Sequence, residues 1–217
     1  PADKATYGTF VQLSDKAEAD LYALIEELAG DRNKKPGSPA QLIGDLYSSF
    51  MDTDTVASLG LAPIAGELTE IHEVADRSAF AALLGRLQRT GVGGALGFYV
   101  DTDDKNSNRY LVHATQSGIG LPDESYYRED KFADIRAAYL GHMGKVFALA
   151  GWAEPERAAQ QVLDVETRLA QGHWERAETR DVIKAYNLTT REELQALVPN
   201  LPLDVWARAL GADDAVL

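Results

Sequence analysis

The stretch GALGFYVDTDDKNSNRYLVHATQSGIGLPDESYY (residues 94–127) interrupts an otherwise helical pattern of apolar residues. Two runs rich in β-branched and aromatic residues are separated there by the polar segment 101–108. This pattern is typical of a β-hairpin, and we predict one over about residues 94–116, with a loop longer than two residues. Gly120 and Pro122 then stop the second strand, since proline lacks the N–H that a strand donates. The apolar residues of the two runs are Leu96, Phe98 and Val100, then Tyr110, Val112 and Ala114.

The chain on both sides of this hairpin is predicted to be helical, so the predicted fold class is mainly α, a multi-helix domain with one β-hairpin. After an extended lead-in over residues 1–10, helical spacing begins near Ser14. Asp76 is predicted to end or cap a helix, and Thr190 with Glu193 has the spacing of a capping box. The first two apolar stripes are Leu21, Leu24, Ile25 and Leu28, and then Leu42, Ile43, Leu46, Tyr47, Phe50 and Met51. The third consists of Ile64, Leu68, Ile71 and Val74, and we expect these four residues on the buried side of their helix.

Length and composition limit the classes of protein to which this chain can belong. The chain has 217 residues, which suits one large domain or two small ones, and its 45% hydrophobic and 25% charged residues are typical of a soluble globular protein. A formal net charge of −13 argues against nucleic acid and anionic membranes as partners, because both attract basic proteins. No run reaches the roughly 18 apolar residues of a membrane span. The absence of cysteine excludes disulfides and thiolate metal ligands, and it fits a reducing compartment.

The segment His72-Glu73-Val74-Ala75-Asp76 comes nearest to a zinc-protease motif. That motif needs two histidines four positions apart on one helix face, with a glutamate that activates water. Asp76 stands where the second histidine is needed, and its side chain is too short to replace an imidazole. We therefore reject a zinc site here; a standalone hydrolase using His72 and Glu73 would require a further ligand close to both.

Other polar groups give no stronger signal for chemistry. His113, His142 and His173 are isolated from one another in the sequence. The acidic segment 101–107 lacks the glycine and glutamate positions of a calcium loop, so we predict a solvated turn. No serine, histidine and aspartate arrangement carries a nucleophile signature. The sequence thus predicts no catalytic residue and no metal ligand in this chain.

Three ordered regions resemble the neprilysin-type zinc metallopeptidases. TDDKNS, the second strand and GIGLPDESYY resemble that family's signature hairpin, which is followed by Gly-Leu-Gly-Leu-Pro and a paired tyrosine. Tyr7-Gly8-Thr9-Phe10 resembles its Tyr-Gly-x-Phe segment. Residues 163–190 resemble a segment in which a Glu-bearing helix leads to an Arg-Asp pair and a Tyr-Asn-x-x-Thr motif. The matching residues of that third segment are Glu166, Arg180, Asp181, Tyr186, Asn187 and Thr190.

The resemblance implies a two-lobed zinc endopeptidase whose metal site, H-E-x-x-H plus a distant glutamate, lies in a C-terminal lobe. Residues 1–217 would form part of the N-terminal helical lobe, a fragment that encloses peptide substrates but holds no zinc and hydrolyses nothing alone. Its partners would be the catalytic lobe of the same polypeptide, with Zn²⁺ as that lobe's cofactor, and peptide substrates. Tyr7 and Phe10 would be candidate residues of the substrate chamber.

Two departures from the family pattern refine this expectation. Thr6 and Ser14 stand where animal members carry arginines that help hold the C-terminal carboxylate of the substrate, and neither residue can form a bidentate pair. General endopeptidase action is therefore favoured. The lack of cysteine suggests a bacterial relative, of unknown location, either cytoplasmic or secreted.

The alternative prediction is a non-catalytic helical protein-interaction module. Such a module predicts a polar surface all round, whereas a lobe of a larger enzyme predicts a large exposed apolar face.

Overall fold

A computed structural model describes residues 8–212 of the chain. Eleven α-helices and one two-stranded antiparallel sheet lie within this range, which confirms the mainly α prediction with a single hairpin. The chain divides into two compact units, Pro1–Ile64 and Ala65–Leu217, which we call unit 1 and unit 2. None of the helices between residues 8 and 212 has both the length and the apolar character that crossing a bilayer requires.

Unit 1 is helical throughout most of its described length. Its helices are α1 (Thr9–Gly30), α2 (Pro39–Met51) and α3 (Thr53–Leu59), followed by a 3-10 turn at Ala62–Ile64. Ser38 caps α2 by accepting a hydrogen bond from the Gln41 N–H, and Asp52 caps α3 through the Thr55 N–H.

The first helix begins earlier than the sequence predicts. Gly8 is extended, and its carbonyl accepts the Gln12 N–H at 3.1 Å, so the helix starts at Thr9 rather than near Ser14. The predicted extended lead-in is therefore wrong for residues 9–10, because Phe10 and Leu13 continue the helical stripe toward the N-terminus. The first seven residues of that lead-in lie outside the described part of the chain.

Unit 2 begins with two helices, α4 (Ala65–His72) and α5 (Arg77–Arg89). Asp76 accepts the Ala79 N–H at 2.8 Å, which confirms its predicted role as a cap. The predicted buried side of the helix before Asp76 is wrong for Ile64 and Ile71, which are 47% and 42% exposed, whereas Leu68 and Val74 are half-buried. The reason is that α4 ends at His72, so the four apolar positions of that stripe do not share one helix.

The hairpin consists of β1 (Leu96–Asp103) and β2 (Asn106–Gln116), paired in antiparallel register with Val100 opposite Val112. Its turn contains only Asp104 and Lys105, so the predicted longer loop is wrong. Pairing extends into the polar segment, with Thr102 opposite Tyr110, and the register then shifts so that Asp103 lies opposite Asn106.

Asp103 closes this turn. The prediction of a solvated turn is wrong for this residue, because it is only 1% exposed. Its carboxylate accepts the Lys105 N–H at 2.8 Å and the Arg109 Nε–H at 2.7 Å. The hydrogen bond from the Lys105 backbone, followed by that from Arg109, lowers the pKa of Asp103. A short polar turn is therefore stable here because one buried carboxylate satisfies donors from both sides of it.

The second half of unit 2 is helical again. Its two longest helices are α7 and α8. The Thr190–Glu193 capping box predicted for a later helix is present at the start of α10, with both reciprocal hydrogen bonds. The bounds are α6 (Ser125–Arg128), α7 (Ala133–Leu149), α8 (Pro155–Gly172), α9 (Val182–Ala185), α10 (Arg191–Leu197) and α11 (Leu203–Leu210), with 3-10 turns at Asp130–Phe132 and Glu178–Arg180.

Two small apolar cores stabilise unit 2. In the first, Trp206 of α11 is 2% exposed and donates its indole N–H to Gln88. Its ring centroid lies 4.6 Å from that of Phe98 of β1, with the ring planes tilted by 45°. Gly85 lets α5 approach α11 closely, since a Cβ there would lie 2.5 Å from the Trp206 carbonyl oxygen. The second core surrounds Leu121 and Tyr127. Its other members are Ala170, Ile119, Tyr126, Tyr139 and Leu163.

Candidate functional site

The nearest approach to a protease motif has no metal-binding geometry. His72 Nδ1 lies 2.9 Å from the Leu68 carbonyl oxygen of its own helix, and its ring lies 5.0 Å from that of Trp152 beside a cleft of about 710 Å³. Asp76 is used as a helix cap. From residue 8 to residue 212, no group of three or more His, Asp or Glu side chains could hold a metal ion. The described residues therefore do not fit a zinc ion.

Unit 1 exposes large apolar side chains along two of its helices. Phe10 is 89% exposed, Leu46 is 72% exposed and Phe50 is 78% exposed. Gly44 is the single buried residue that the structure describes between residues 8 and 64. Apolar residues at helical spacing on α1 and α2 thus face outward; we call them the exposed stripes of unit 1. They comprise Phe10, Leu13, Leu21 and Leu24 on α1 and Leu42, Ile43, Leu46 and Phe50 on α2.

Residues outside these stripes join α1 to α2, among them the Tyr22 and Tyr47 rings in edge contact at 6.4 Å. A Cβ on Gly44 would lie 2.6 Å from the Leu28 carbonyl oxygen, so only glycine allows the two helices to come this close. Lys34 donates from Nζ to the Leu28 and Ala29 carbonyls at 2.8 and 3.2 Å, which satisfies the C-terminal end of α1. Because the contact uses Gly44, the larger apolar side chains are left for another surface.

The resemblance to the neprilysin-type family implied two candidate residues of the substrate chamber. Phe10 lies at the start of α1, on the exposed stripe, where its ring is accessible to a ligand or to another part of a protein. Tyr7 lies outside the described residues. Their role in a chamber stays a prediction.

The Gly-Ile-Gly-Leu-Pro segment of unit 2 is held by a buried polar cluster. The Tyr127 hydroxyl accepts the N–H groups of Gly120 and Leu121 at 3.1 and 3.0 Å and donates to Glu166 Oε2 at 2.8 Å. Tyr139 donates to Glu166 Oε1 at 3.0 Å. Each oxygen of the Glu166 carboxylate thus accepts a hydrogen bond from a tyrosine hydroxyl, one on α6 and the other on α7.

The same cluster explains the second glycine of the segment. A Cβ on Gly120 would collide with the Tyr139 hydroxyl, so this position requires glycine. Burial, together with the negative charge of Glu166, raises the pKa of Tyr139 to about 12 and also raises the pKa of Tyr127. Both phenols therefore stay protonated at neutral pH, as donors to Glu166.

Sequence reasoning placed Glu166 in a motif but missed this cluster. The paired tyrosine after the Gly-Leu-Pro turn could have indicated the cluster, since a buried tyrosine needs a hydrogen-bond partner for its hydroxyl. The partner lies 39 positions further along the chain, which no local pattern reveals.

A model of peptidase family M13 matches residues 1–216. The chain therefore belongs to peptidase family M13 and corresponds to the N-terminal region of its members, which confirms the family suggested by the hairpin and its flanking motifs.

Solved and curated relatives agree with this membership. The zinc metalloprotease Zmp1 of Mycobacterium tuberculosis, in its open state, matches with a TM-score of 0.89 and 46% identity over 97% of this chain and 33% of its own. Endothelin-converting enzyme-like 1 of Mus musculus is 31% identical over 93% of this chain and 28% of its own length. A putative zinc metalloproteinase of Streptococcus gordonii is 26% identical over 98% of this chain and 39% of its own length. The chain thus spans less than half the length of each of these relatives.

Proposed function

We propose that this chain is the N-terminal helical lobe of an M13 zinc endopeptidase, and that it encloses peptide substrates. The family match over residues 1–216 supports this role, as does the 28–33% share of the relatives' length that the chain covers. The single observation that carries the proposal is the exposed stripes of unit 1, because a protein lobe that packs against another needs such an apolar face.

In this proposal the chemistry is divided between two parts of one polypeptide. The described residues offer no metal site, so zinc and the general base would come from a catalytic lobe outside these 217 residues. When bound there, zinc supplies an activated water and polarises the scissile carbonyl. The helical lobe closes over the peptide and keeps bulk water out.

The exposed stripes would form the contact with that catalytic lobe. Burial of a Leu or Phe side chain contributes roughly 1.5–3 kcal/mol, so covering even a few of these residues stabilises the two-lobed state substantially. Phe10 would lie at the margin of this contact and, with Tyr7, line the peptide chamber.

The test begins with the complete reading frame that encodes these residues. We expect an H-E-x-x-H motif with a glutamate ligand further along, and a purified full polypeptide that cleaves unstructured peptides until a zinc chelator is added. The 217-residue chain alone should cleave nothing. Chelator-sensitive cleavage by the chain alone, or a reading frame without a zinc motif, would overturn the proposal.

The second candidate is a non-catalytic helical interaction module. It predicts a polar surface, and the exposed stripes of unit 1 count against it. A hydrophobic dye separates the two cheaply. Strong dye binding by the 217-residue chain that disappears in the full polypeptide supports the lobe, whereas weak binding by both supports the module.

A further inference from the structure

The hairpin of unit 2 is a sheet of two strands, so each strand has an outer edge that its partner does not cover. The Ser117 N–H donates to the Ala95 carbonyl at 3.2 Å, and Leu96 lies opposite Gln116. In an antiparallel ladder this makes Leu96 and Gln116 a pair without mutual hydrogen bonds, whose backbone groups point outward. The pattern alternates along both strands. On β2 the outward-pointing residues of the central part are therefore Tyr110, Val112 and Ala114.

The outer edge of β1 is partly occupied by side chains of the same unit. The outward carbonyl of Leu96 accepts a hydrogen bond from Gln88 Nε2 at 2.9 Å. The outward N–H of Thr102 donates to Asp101 Oδ1 at 2.7 Å. Backbone groups that already have a partner do not offer a template for a further strand, so this edge is protected.

The outer edge of β2 has no such protection over its central part. Between residues 8 and 212, no other group is hydrogen-bonded to the outward backbone N–H and C=O of Tyr110, Val112 and Ala114. The side chain of Tyr110 is 75% exposed, and Ala114 is exposed as well. None of the three residues is charged or a proline, the residue types that usually keep an open edge from pairing. This edge therefore has the features of one that another strand covers.

A groove of about 220 Å³ lies beside β2, between this strand and the segment 186–189, which follows α9; we call it the β2 groove. Four consecutive residues of β2, 111–114, line it. Successive side chains of a strand point to opposite faces, so a groove that contacts four in a row follows the edge of the strand. Its large apolar lining residues are Phe98, Leu111, Val112, Leu188 and Leu194.

The far wall of the β2 groove is held in place by contacts that lie outside the groove itself. Lys105 Nζ lies 4.0 Å from the centre of the Tyr186 ring. Asn187 Nδ2 donates to the carbonyls of Lys184 and Ala185 at 3.0 and 3.2 Å, which closes the end of α9. Leu188 of the same wall is 54% exposed, so the groove has apolar surface that an added strand would cover.

We propose that a third strand, from the part of the same polypeptide outside these 217 residues, pairs with the outer edge of β2 at Tyr110, Val112 and Ala114. An extended backbone presents N–H and C=O groups at the spacing of this edge, and its alternate side chains would fill the β2 groove. We expect apolar residues at those alternate positions, because the groove is lined by apolar side chains.

A strand of the same polypeptide fits this edge better than a transient peptide. A peptide that leaves would expose an edge without charge or proline, which is a site of aggregation. The chain spans 28% of the mouse relative and 39% of the streptococcal one, so a polypeptide of their length has ample sequence for a further strand. The third strand depends on the proposed function only in that a longer polypeptide must exist.

Site-resolved amide hydrogen exchange compares the 217-residue chain with the full polypeptide. In the 217-residue chain, the N–H groups of Val112 and Ala114 should exchange at least about a hundredfold faster than those of Leu111 and His113, which donate to β1. In the full polypeptide, the Val112 and Ala114 groups should slow to within about tenfold of these neighbours, because the third strand accepts their hydrogen bonds.

Three results of this measurement would overturn the proposal. Fast exchange of Val112 and Ala114 in the full polypeptide would show that the edge stays open. Slow exchange already in the 217-residue chain would show that the edge needs no further strand. Slow exchange only after a peptide substrate is added to the chelator-treated full polypeptide would assign the edge to the substrate. None of these readings involves cleavage, so the peptidase assignment stands or falls separately.

Two substitutions at one position test the pairing itself. Ala114→Pro removes an outward N–H and leaves the ladder with β1 intact, whereas Ala114→Ser keeps that N–H and is the matched control. In the full polypeptide, the Val112 N–H should exchange at least about tenfold faster in Ala114→Pro than in Ala114→Ser, because proline cannot donate to the third strand. In the 217-residue chain the two variants should exchange alike at Val112. Equal protection of Val112 in both full-length variants would contradict the pairing, and if Ala114→Pro does not fold, the exchange of the unchanged proteins decides.

Discussion

Apolar residues recur at helical spacing in both units, yet α2 of unit 1 and α11 of unit 2 bury them differently. In unit 2, Leu203, Trp206 and Ala207 on one face of α11 are at most 4% exposed. In unit 1, Leu46 and Phe50 on the stripe of α2 are more than 70% exposed. Helical periodicity determines which residues share a face, whereas the surroundings determine whether anything covers that face.

The size of unit 1 explains part of this difference. A segment of about 60 residues buries a smaller fraction of its surface than a larger domain does, and helices whose described apolar side chains stay largely exposed gain little from packing. A close contact between α1 and α2 passes through Gly44, which contributes no apolar side chain. Unit 2 has the hairpin and two apolar cores, so it has more of the features of an independently stable domain.

The largest expected effect follows from separating the two units. A polypeptide of residues 65–217 should keep a cooperative thermal unfolding transition, because its cores are internal. A polypeptide of residues 1–64 should show weak helicity and no cooperative transition by circular dichroism. A sharp transition in residues 1–64 would show that unit 1 has a core of its own and would remove the contrast.

The next effect compares one buried and one exposed apolar side chain. Trp206→Ala should lower the free energy of unfolding by about 3–5 kcal/mol, because it leaves a cavity among α5, α11 and β1. Leu46→Ala should change it by no more than about 0.5 kcal/mol. Both values are measured by denaturant unfolding of the 217-residue chain. Comparable losses would mean that Leu46 is buried in solution.

The polar cluster of unit 2 gives a smaller effect. Glu166→Ala leaves the hydroxyls of Tyr127 and Tyr139 without their acceptor, and it should cost about 2–3 kcal/mol of unfolding free energy. Asp164→Ala on the same helix breaks an exposed hydrogen bond to Gln160 and serves as the control. Its cost should stay below about 1 kcal/mol. If the control were as destabilising as Glu166→Ala, the cluster would have no special role.

The smallest effect appears at alkaline pH. The pKa of Tyr139 is raised from 10.0 to about 12, so the folded state keeps a proton that the unfolded state releases. The corresponding stability is fully present below pH 10 and is lost as the pH rises toward about 12. Tyr139→Phe should make this alkaline loss less steep in thermal melts at several pH values. Tyr110→Phe, at a 75% exposed position, should leave the slope unchanged.

Local signals in the sequence predicted the hairpin, the Asp76 cap and the Thr190–Glu193 capping box, because each depends on residues close together in the chain. The two-residue turn was missed because Asp103 gains its partner Arg109 only once the strands pair. The Tyr127–Glu166 cluster was missed for a similar reason, since its members meet through tertiary packing. Exposure of the unit 1 stripes could not be predicted from periodicity, which does not show what lies opposite a helix face.

Cysteine labelling tests most directly whether the exposed stripes of unit 1 are covered by another part of the polypeptide. The chain has no cysteine, so Leu46→Cys and Lys35→Cys each place one thiol, on the stripe and on a polar exposed loop respectively. In the 217-residue chain both thiols should react with a maleimide at similar rates. In the full polypeptide, Leu46→Cys should react at least about tenfold more slowly than Lys35→Cys, because a packed lobe must open first. Equal rates in the full polypeptide would contradict the assignment of this chain as one lobe of a two-lobed peptidase.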